Sequence, residues 1–243
     1  MNMHSRIQAE IDLDAMTYNL EHIKKNLKPG TKIIAVLKAD GYGHGAVPLG
    51  KRIQQDPSVW GIAVATVEEG IELREAGITS PILILGYTYQ EDYQKIMDFR
   101  PAVFKKSMAQ ELSKAAVRAR KTLKIHIKID TGMTRIGYRN VETDVPEILE
   151  ISRLPGIEVE GIFTHFARAD ETDIAPARIQ YEKFQEFLHA LEEKGLSIPM
   201  KHCSNSAGII RMQEANLDAV RAGIILYGLY PSPEVEQEPV PLK

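Results

Sequence analysis

The chain has 243 residues, 44% of them apolar, and a formal net charge of −3. That length suits one large α/β barrel or two smaller domains with a sizeable core, and the near balance of charge gives no electrostatic case for nucleic acid or an anionic membrane surface. No apolar run is long enough to cross a bilayer, the seven histidines have no metal-ligand spacing, and the one cysteine, Cys203, excludes an internal disulfide and fits a reducing cytoplasm.

The N-terminal Met1–Arg6 has no apolar signal core behind it. Ala9–Leu13 alternates apolar and polar residues and predicts a short strand outside the main sheet, with Asp14 capping the helix that follows. Leu20, Ile23 and Leu27 recur at helical spacing, and Pro29-Gly30 ends that helix. Strands and helices then alternate with short connections. The predicted strands are Ile33–Leu37, Gly61–Ala65, Ile82–Leu85, Ala102–Phe104, Leu123–Ile129, Val159–Thr164, Met200–Cys203 and Ala219–Gly223, with helical segments between them. Thr66–Glu69 is a capping-box signature, with Gly77 closing its helix, and Ser107–Gln110 is a second such box. Phe184, Phe187, Leu188 and Leu191 form one apolar stripe before Gly195. Eight such units in one chain predict a (β/α)8 barrel over residues 1–230, and a doubly wound open sheet is the alternative. Residues 231–243, acidic and proline-rich, read as a linker.

The stretch Ile33–Gly45 organises the rest. Five apolar residues, a strand buried on both faces, run straight into Lys38. An α/β fold places its chemistry at that end of a strand, and an amine partly withdrawn from water is a usable nucleophile or base. The alternative is a rim lysine reaching for water. Gly41, Gly43 and Gly45 follow at a spacing that is neither a dinucleotide fingerprint nor a Walker loop. They permit positive φ and close backbone approach to a ligand.

Other strand ends carry polar groups. His126, Lys128 and Asp130 share one face, either a buried network or an exposed strand surface. Arg135 in the next loop is either a fork for a carboxylate or a surface arginine, and His165, which ends another apolar strand, is either structural or catalytic. Asn205 and Ser206 stand at a strand-to-helix turn, suited to a phosphate or to simple capping, and Gly223 follows the last strand. Barrels often hold a phosphate in the loops after strands seven and eight, where Ser206 and Gly223 fall. Cys203 reads as a small buried residue.

The string Lys38-Ala39-Asp40-Gly41-Tyr42-Gly43-His44-Gly45 closely resembles the cofactor-lysine segment of alanine racemases, which bind pyridoxal 5′-phosphate (PLP). Lys128–Gly137, Thr164–Asp170, His202–Ala207 and Arg221–Gly228 also occur in that family's order and at about its spacing. The resemblance implies a PLP-binding barrel domain for the interconversion of L- and D-alanine, which supplies D-alanine for cell-wall peptidoglycan in the cytoplasm. It implies that Lys38 carries the cofactor and serves as one of two acid/base groups. Tyr42, Ser206 and the backbone of Gly223 and Ile224 would hold the phosphate. Arg221 would bond the pyridine nitrogen, with His165 behind it and Asn205 beside it. Arg135 would meet the substrate carboxylate, with Met133 nearby, and Lys128 matches a lysine carbamylated in some members.

The resemblance also sets a departure. Full-length members are homodimers with a C-terminal β-domain, whose tyrosine serves the second face of the site from the partner subunit. No tyrosine here fits that role, since Tyr227 and Tyr230 are in the wrong segment. The expectation is therefore the cofactor-binding domain of a racemase, one that binds PLP and racemises poorly or not at all alone. A serine or broad-specificity racemase shares nearly all these motifs. A single-barrel, non-catalytic PLP-binding or homeostasis protein, a barrel decarboxylase and a purely structural barrel are the competing functions.

Overall fold

Ile33, Ala35 and Leu37 are buried in one apolar cluster, and Ile34 and Val36 in another. A strand buried on both faces needs helices on one side and the interior of a barrel on the other. The computed structural model, which describes residues 9–235 and 240–243, has both. Its strands are β1 (Lys32–Val36), β2 (Val59–Val64), β3 (Ile82–Ile84), β4 (Arg100–Val103), β5 (Leu123–Lys128), β6 (Ile157–Phe163), β7 (Met200–His202) and β8 (Ala219–Ala222). They pair in parallel in sequence order, with β8 beside β1. Asp218 N–H to Lys201 O (3.1 Å) and Arg221 N–H to Ser204 O (3.0 Å) link the β7 and β8 edges, so the sheet closes. All eight predicted barrel strands are present, and closure excludes the doubly wound alternative.

The outer layer contains α1 (Leu13–Lys25), α2 (Ala46–Ile53), α3 (Val67–Glu75), α4 (Lys106–Ala119), α5 (Val141–Ile151), α6 (Ala175–Glu193) and α7 (Ser206–Arg211). Between β3 and β4 the helical segment among the described residues is only a 3₁₀ turn, Gln90–Asp92. The apolar stripe of α6 is buried as expected, each such side chain contributing about 1.5–3 kcal/mol. The capping box of α3 is formed, with Gly77 beyond its end at φ +90°.

Three local expectations are corrected. Ala9–Asp12 is not a strand, because the barrel strands are already paired within the ring and leave no free edge for it. Asp12, not Asp14, caps α1, accepting from the N–H groups of Asp14 (2.8 Å) and Ala15 (3.0 Å). The box at Ser107–Gln110 does not form. Helix α4 starts at Lys106, whose N–H donates to Glu147 of α5 at 2.6 Å, so a neighbouring helix supplies the cap.

The barrel interior is divided. Ile34, Val36, Ala63, Leu83 and Ala219 make an apolar half. His126, Lys128, His202 and Arg221 make a polar half, all of them buried. Gly161 of β6 makes room for this, since a Cβ there would lie 2.4 Å from the His126 ring. At the far end of the chain, Lys243 N–H donates to the Asn19 side chain (2.7 Å), which donates back to Lys243 O (2.9 Å).

Candidate active site

The segment Lys38–Gly43 follows β1 directly. Ala39, Asp40, Gly41 and Tyr42 have φ of 50–61° and ψ of 36–50°, one turn of left-handed helix. Such a turn costs an L-residue roughly 1–2 kcal/mol, and three of these four carry side chains. Backbone bonds hold it, from Gly41 N–H to Leu37 O (2.8 Å) and from Gly45 N–H to Asp40 O (2.9 Å). Two carboxylates hold it as well, with Asp40 accepting from Ala46 N–H and Glu69 from Ala39 N–H, both at 2.7 Å. The glycines permit positive φ as expected, but the left-handed geometry extends to Asp40 and to Ala39 and Tyr42, and the last two have no residue-type preference for it.

Lys38 and Tyr42 line one cavity of about 340 Å³ at the C-terminal end of the strands, together with Met133, His165, Asn205, Ser206, Arg221, Gly223 and Ile224. A second cavity of about 340 Å³ shares Lys38, His165 and Arg221 and adds Lys128 and Arg135. The structure thus brings every sequence-derived site residue to one barrel mouth. A larger cleft, about 570 Å³, runs past Asp130, Arg139 and Lys183, and its lining includes neither Lys38 nor Arg221.

One corner of the mouth gathers donors. Ser206 opens α7, and its Oγ accepts from Gly223 N–H at 3.2 Å. A Cβ on Gly223 would sit 3.4 Å from Tyr42 Oη and 3.5 Å from Ser206 Oγ, so two hydroxyls and a backbone N–H converge where glycine leaves space. Asn205 is the cap of α7, accepting from Gly208 N–H (3.0 Å), which leaves Ser206 to the cavity. Tyr227 supports Tyr42 from behind: its hydroxyl donates to Val36 O (2.8 Å) and its ring meets Tyr42 edge-on at 5.2 Å.

Arg221 is buried with no carboxylate partner among the described residues. It donates to Thr164 O (2.8 Å), Cys203 O (2.9 Å), His202 O (3.1 Å), His202 Nδ1 (2.8 Å) and His165 Nδ1 (3.2 Å). Burial lowers its basicity to about 10. Burial, and then the Arg221 charge, push His165 and His202 well below the usual imidazole range, so both are neutral. Behind them His202 Nε2 meets His126 Nδ1 at 2.9 Å, and His126 Nε2 meets Glu160 at 3.4 Å. His202 and Glu160 were not singled out from sequence; the alternation that marked His126 and Lys128 extends to neither.

The loop after β5 is wound around one carboxylate. Asp130 accepts from the N–H groups of Gly132 (3.1 Å), Thr134 (2.9 Å) and Arg135 (2.9 Å), and pairs with Arg139. Asp130 N–H to Tyr138 O (2.7 Å) closes the loop. That winding brings Arg135 and Met133 to the mouth. Lys128 lies beneath, donating to Ile129 O at 2.6 Å. Burial and the Arg221 charge lower its amine to about 7. The face of His126, Lys128 and Asp130 is therefore a buried network, not an exposed strand surface. Cys203 is buried, its thiol pushed up to about 12 by burial.

Residues 11–231 match the family described as "Alanine racemase, N-terminal domain". Alanine racemase of Methanococcus maripaludis is 46% identical over 239 residues, which are 98% of this chain and 64% of that protein. That of Clostridium tetani is 43% identical, over 98% of this chain and 61% of that one. The structure of Clostridium difficile alanine racemase in complex with cycloserine superposes with a TM-score of 0.95 at 42% identity, over 98% of this chain and 67% of that one. A histidine racemase of Leuconostoc mesenteroides superposes with a TM-score of 0.86 at 27% identity, over 96% of this chain and 62% of that one. The chain thus spans 61–64% of the length of these two curated relatives.

Proposed function

The chain belongs to the alanine racemase family, and from that premise we propose that it binds PLP at the barrel mouth for the interconversion of L- and D-alanine. One observation carries the reading: a strand-end lysine, a buried arginine with only neutral partners and a three-donor corner line the same cavity. These groups fit PLP. The corner of Ser206 Oγ, Tyr42 Oη and the backbone of Gly223 and Ile224 suits a phosphate. Arg221 can only donate, which suits an aromatic nitrogen that accepts. Lys38 is the one lysine shared by both cavities.

When bound, PLP supplies an electron sink that acidifies the substrate α-proton. The chain's residues do the rest. Lys38 Nζ would hold the cofactor and would then move the α-proton on one face. Arg221, oriented by His165 and His202, would donate to the pyridine nitrogen and so leave it unprotonated. Asn205 flanks the cofactor beside Ser206. Arg135 offers its fork to the substrate carboxylate and Met133 packs beside it. Lys128, as a carbamate, would give Arg135 an anionic partner.

Racemisation needs a base on each face, and Lys38 serves only one. A homodimer fits this need, and the exposed Tyr42, Tyr87 and Tyr89 near the mouth suit a surface that a partner covers. In this reading the protein works in the cytoplasm and its product supplies cell-wall peptidoglycan. A histidine racemase shares the barrel at 27% identity, so the choice of alanine rests on the relatives at 42–46%.

The test is to incubate the protein with PLP and each alanine enantiomer in D2O and follow α-deuteration and enantiomer composition. We expect PLP-dependent deuteration that Lys38→Ala abolishes, with exchange outrunning racemisation by this chain alone. Exchange no faster than with free PLP would contradict the reading, and fast racemisation by this chain would contradict its one-base part.

A further inference from the structure

We propose that Glu69 is a positioning residue for Lys38, acting through the backbone of Ala39. Its carboxylate joins the loops after two neighbouring strands. Oε2 accepts from the N–H groups of Ala65 (2.6 Å) and Thr66 (3.3 Å), at the end of β2. Oε1 accepts from Ala39 N–H at 2.7 Å, in the loop after β1. A capping box requires only the bond to Thr66. The bond to Ala39 is additional, and it falls on the first left-handed residue of the turn.

The position matters because Ala39 N–H belongs to the peptide plane that joins Lys38 to Ala39. Peptide planes are rigid, so holding this plane fixes ψ of Lys38 and the direction in which its side chain leaves the backbone. The preceding peptide is held too, since Leu37 O accepts from Gly41 N–H. Lys38 is thereby aimed by bonds on both sides. Without the carboxylate, Ala39 loses the one side-chain bond made to its own N–H, at a φ of +52° that its side chain disfavours.

The inference rests on the reading that Lys38 carries PLP, so the test separates the two. Glu69→Gln keeps one oxygen for Ala65 and Thr66 and turns an NH2 group towards Ala39 N–H, donor against donor. Thr66→Ala weakens the cap of α3 and leaves the Ala39 bond in place. Both variants of the full chain are compared with the unsubstituted protein by amide hydrogen exchange without cofactor, and by the rate at which PLP is trapped on Lys38 by borohydride. For Glu69→Gln the expected result is exchange at Ala39 about tenfold faster or more, with Lys38 trapping slowed to match, as for a lost hydrogen bond to a charged group. Thr66→Ala lowers the melting temperature and changes neither reading. Unchanged exchange in Glu69→Gln overturns the proposal, as does unchanged trapping, or equal slowing in both variants. If the unsubstituted protein is not trapped at Lys38, the cofactor reading fails instead, and exchange at Ala39 still decides whether Glu69 holds the turn.

Discussion

Arg221 and His202 meet at 2.8 Å in the barrel interior, and only the arginine can donate. His202 Nδ1 therefore accepts, and the proton of this neutral ring sits on Nε2. That proton is donated to His126 Nδ1, so the His126 proton sits on Nε2 and points to Glu160. One orientation of hydrogen bonds runs from Arg221 to a carboxylate, which Arg100 and Lys124 also hold. The arginine's charge is thus answered through two rings, with no anion beside it to compete for the cofactor.

Replacing Arg221 by glutamate reverses that chemistry. A carboxyl group can share a proton with the pyridine nitrogen, strengthening the electron sink and favouring transamination. Arg221→Glu is expected to form more ketoacid from alanine in the PLP-loaded protein, measured enzymatically. It should also melt lower, because buried carbonyls of Thr164, His202 and Cys203 lose their donor at about 1–3 kcal/mol each. Ketoacid no higher than in the unsubstituted protein would count against Arg221 facing the ring.

Acid should destabilise the fold in two stages. His202 and His165 are held well below 6.5 by burial, so the unfolded chain takes up their protons first and stability declines as pH falls below 6.5. Glu160 behaves differently. Burial opposes its charge, but His126, Arg100 and Lys124 hold it at about 2, against 4.5 ordinarily. Its contribution is complete above pH 4.5 and is lost as pH falls towards 2. Melting temperature against pH should be shallower below 6.5 in His202→Gln and shallower below 4.5 in Glu160→Gln. A profile that stays flat below pH 6.5 would contradict the neutral buried histidines.

Lys128 should take up carbon dioxide. With its amine lowered to about 7, a large share is uncharged and nucleophilic at neutral pH. Isotope-labelled bicarbonate should give a carbamate NMR signal that grows as pH rises through about 7 and is missing from Lys128→Ala. A signal that persists in Lys128→Ala would place the carbamate elsewhere.

Gly161→Ala should destabilise the barrel from beneath its mouth. The added Cβ would lie 2.4 Å from the buried His126 ring. Overpacking of this kind costs about 1–3 kcal/mol, so a drop of several degrees in melting temperature is expected. An unchanged melting temperature would mean that the His126 ring moves freely, at odds with its bond to His202.

The strands were legible because a buried parallel strand is a run such as Ile33–Leu37 or Ile82–Leu85, which little else produces. Lys38, Ser206 and Gly223 were legible because strand ends and glycine turns have a fixed place in a barrel. What was not legible depends on distant partners. Ala39 and Tyr42 carry no preference for positive φ, and Glu69, thirty residues away from Ala39, holds the turn. Ser107 has the right residue type for a cap, but Glu147 reaches the helix end first. His202 sat in a motif, yet its partners Arg221 and His126 are 19 and 76 residues away in sequence.

The central claim is that Lys38 carries PLP at this mouth, and borohydride reduction after incubation with PLP tests it most directly. Reduction fixes the imine on whichever lysine forms it, and peptide mass mapping locates it. A single phosphopyridoxyl adduct on Lys38 is the predicted result. No adduct, or label spread over surface lysines such as Lys51 and Lys114, would contradict the account.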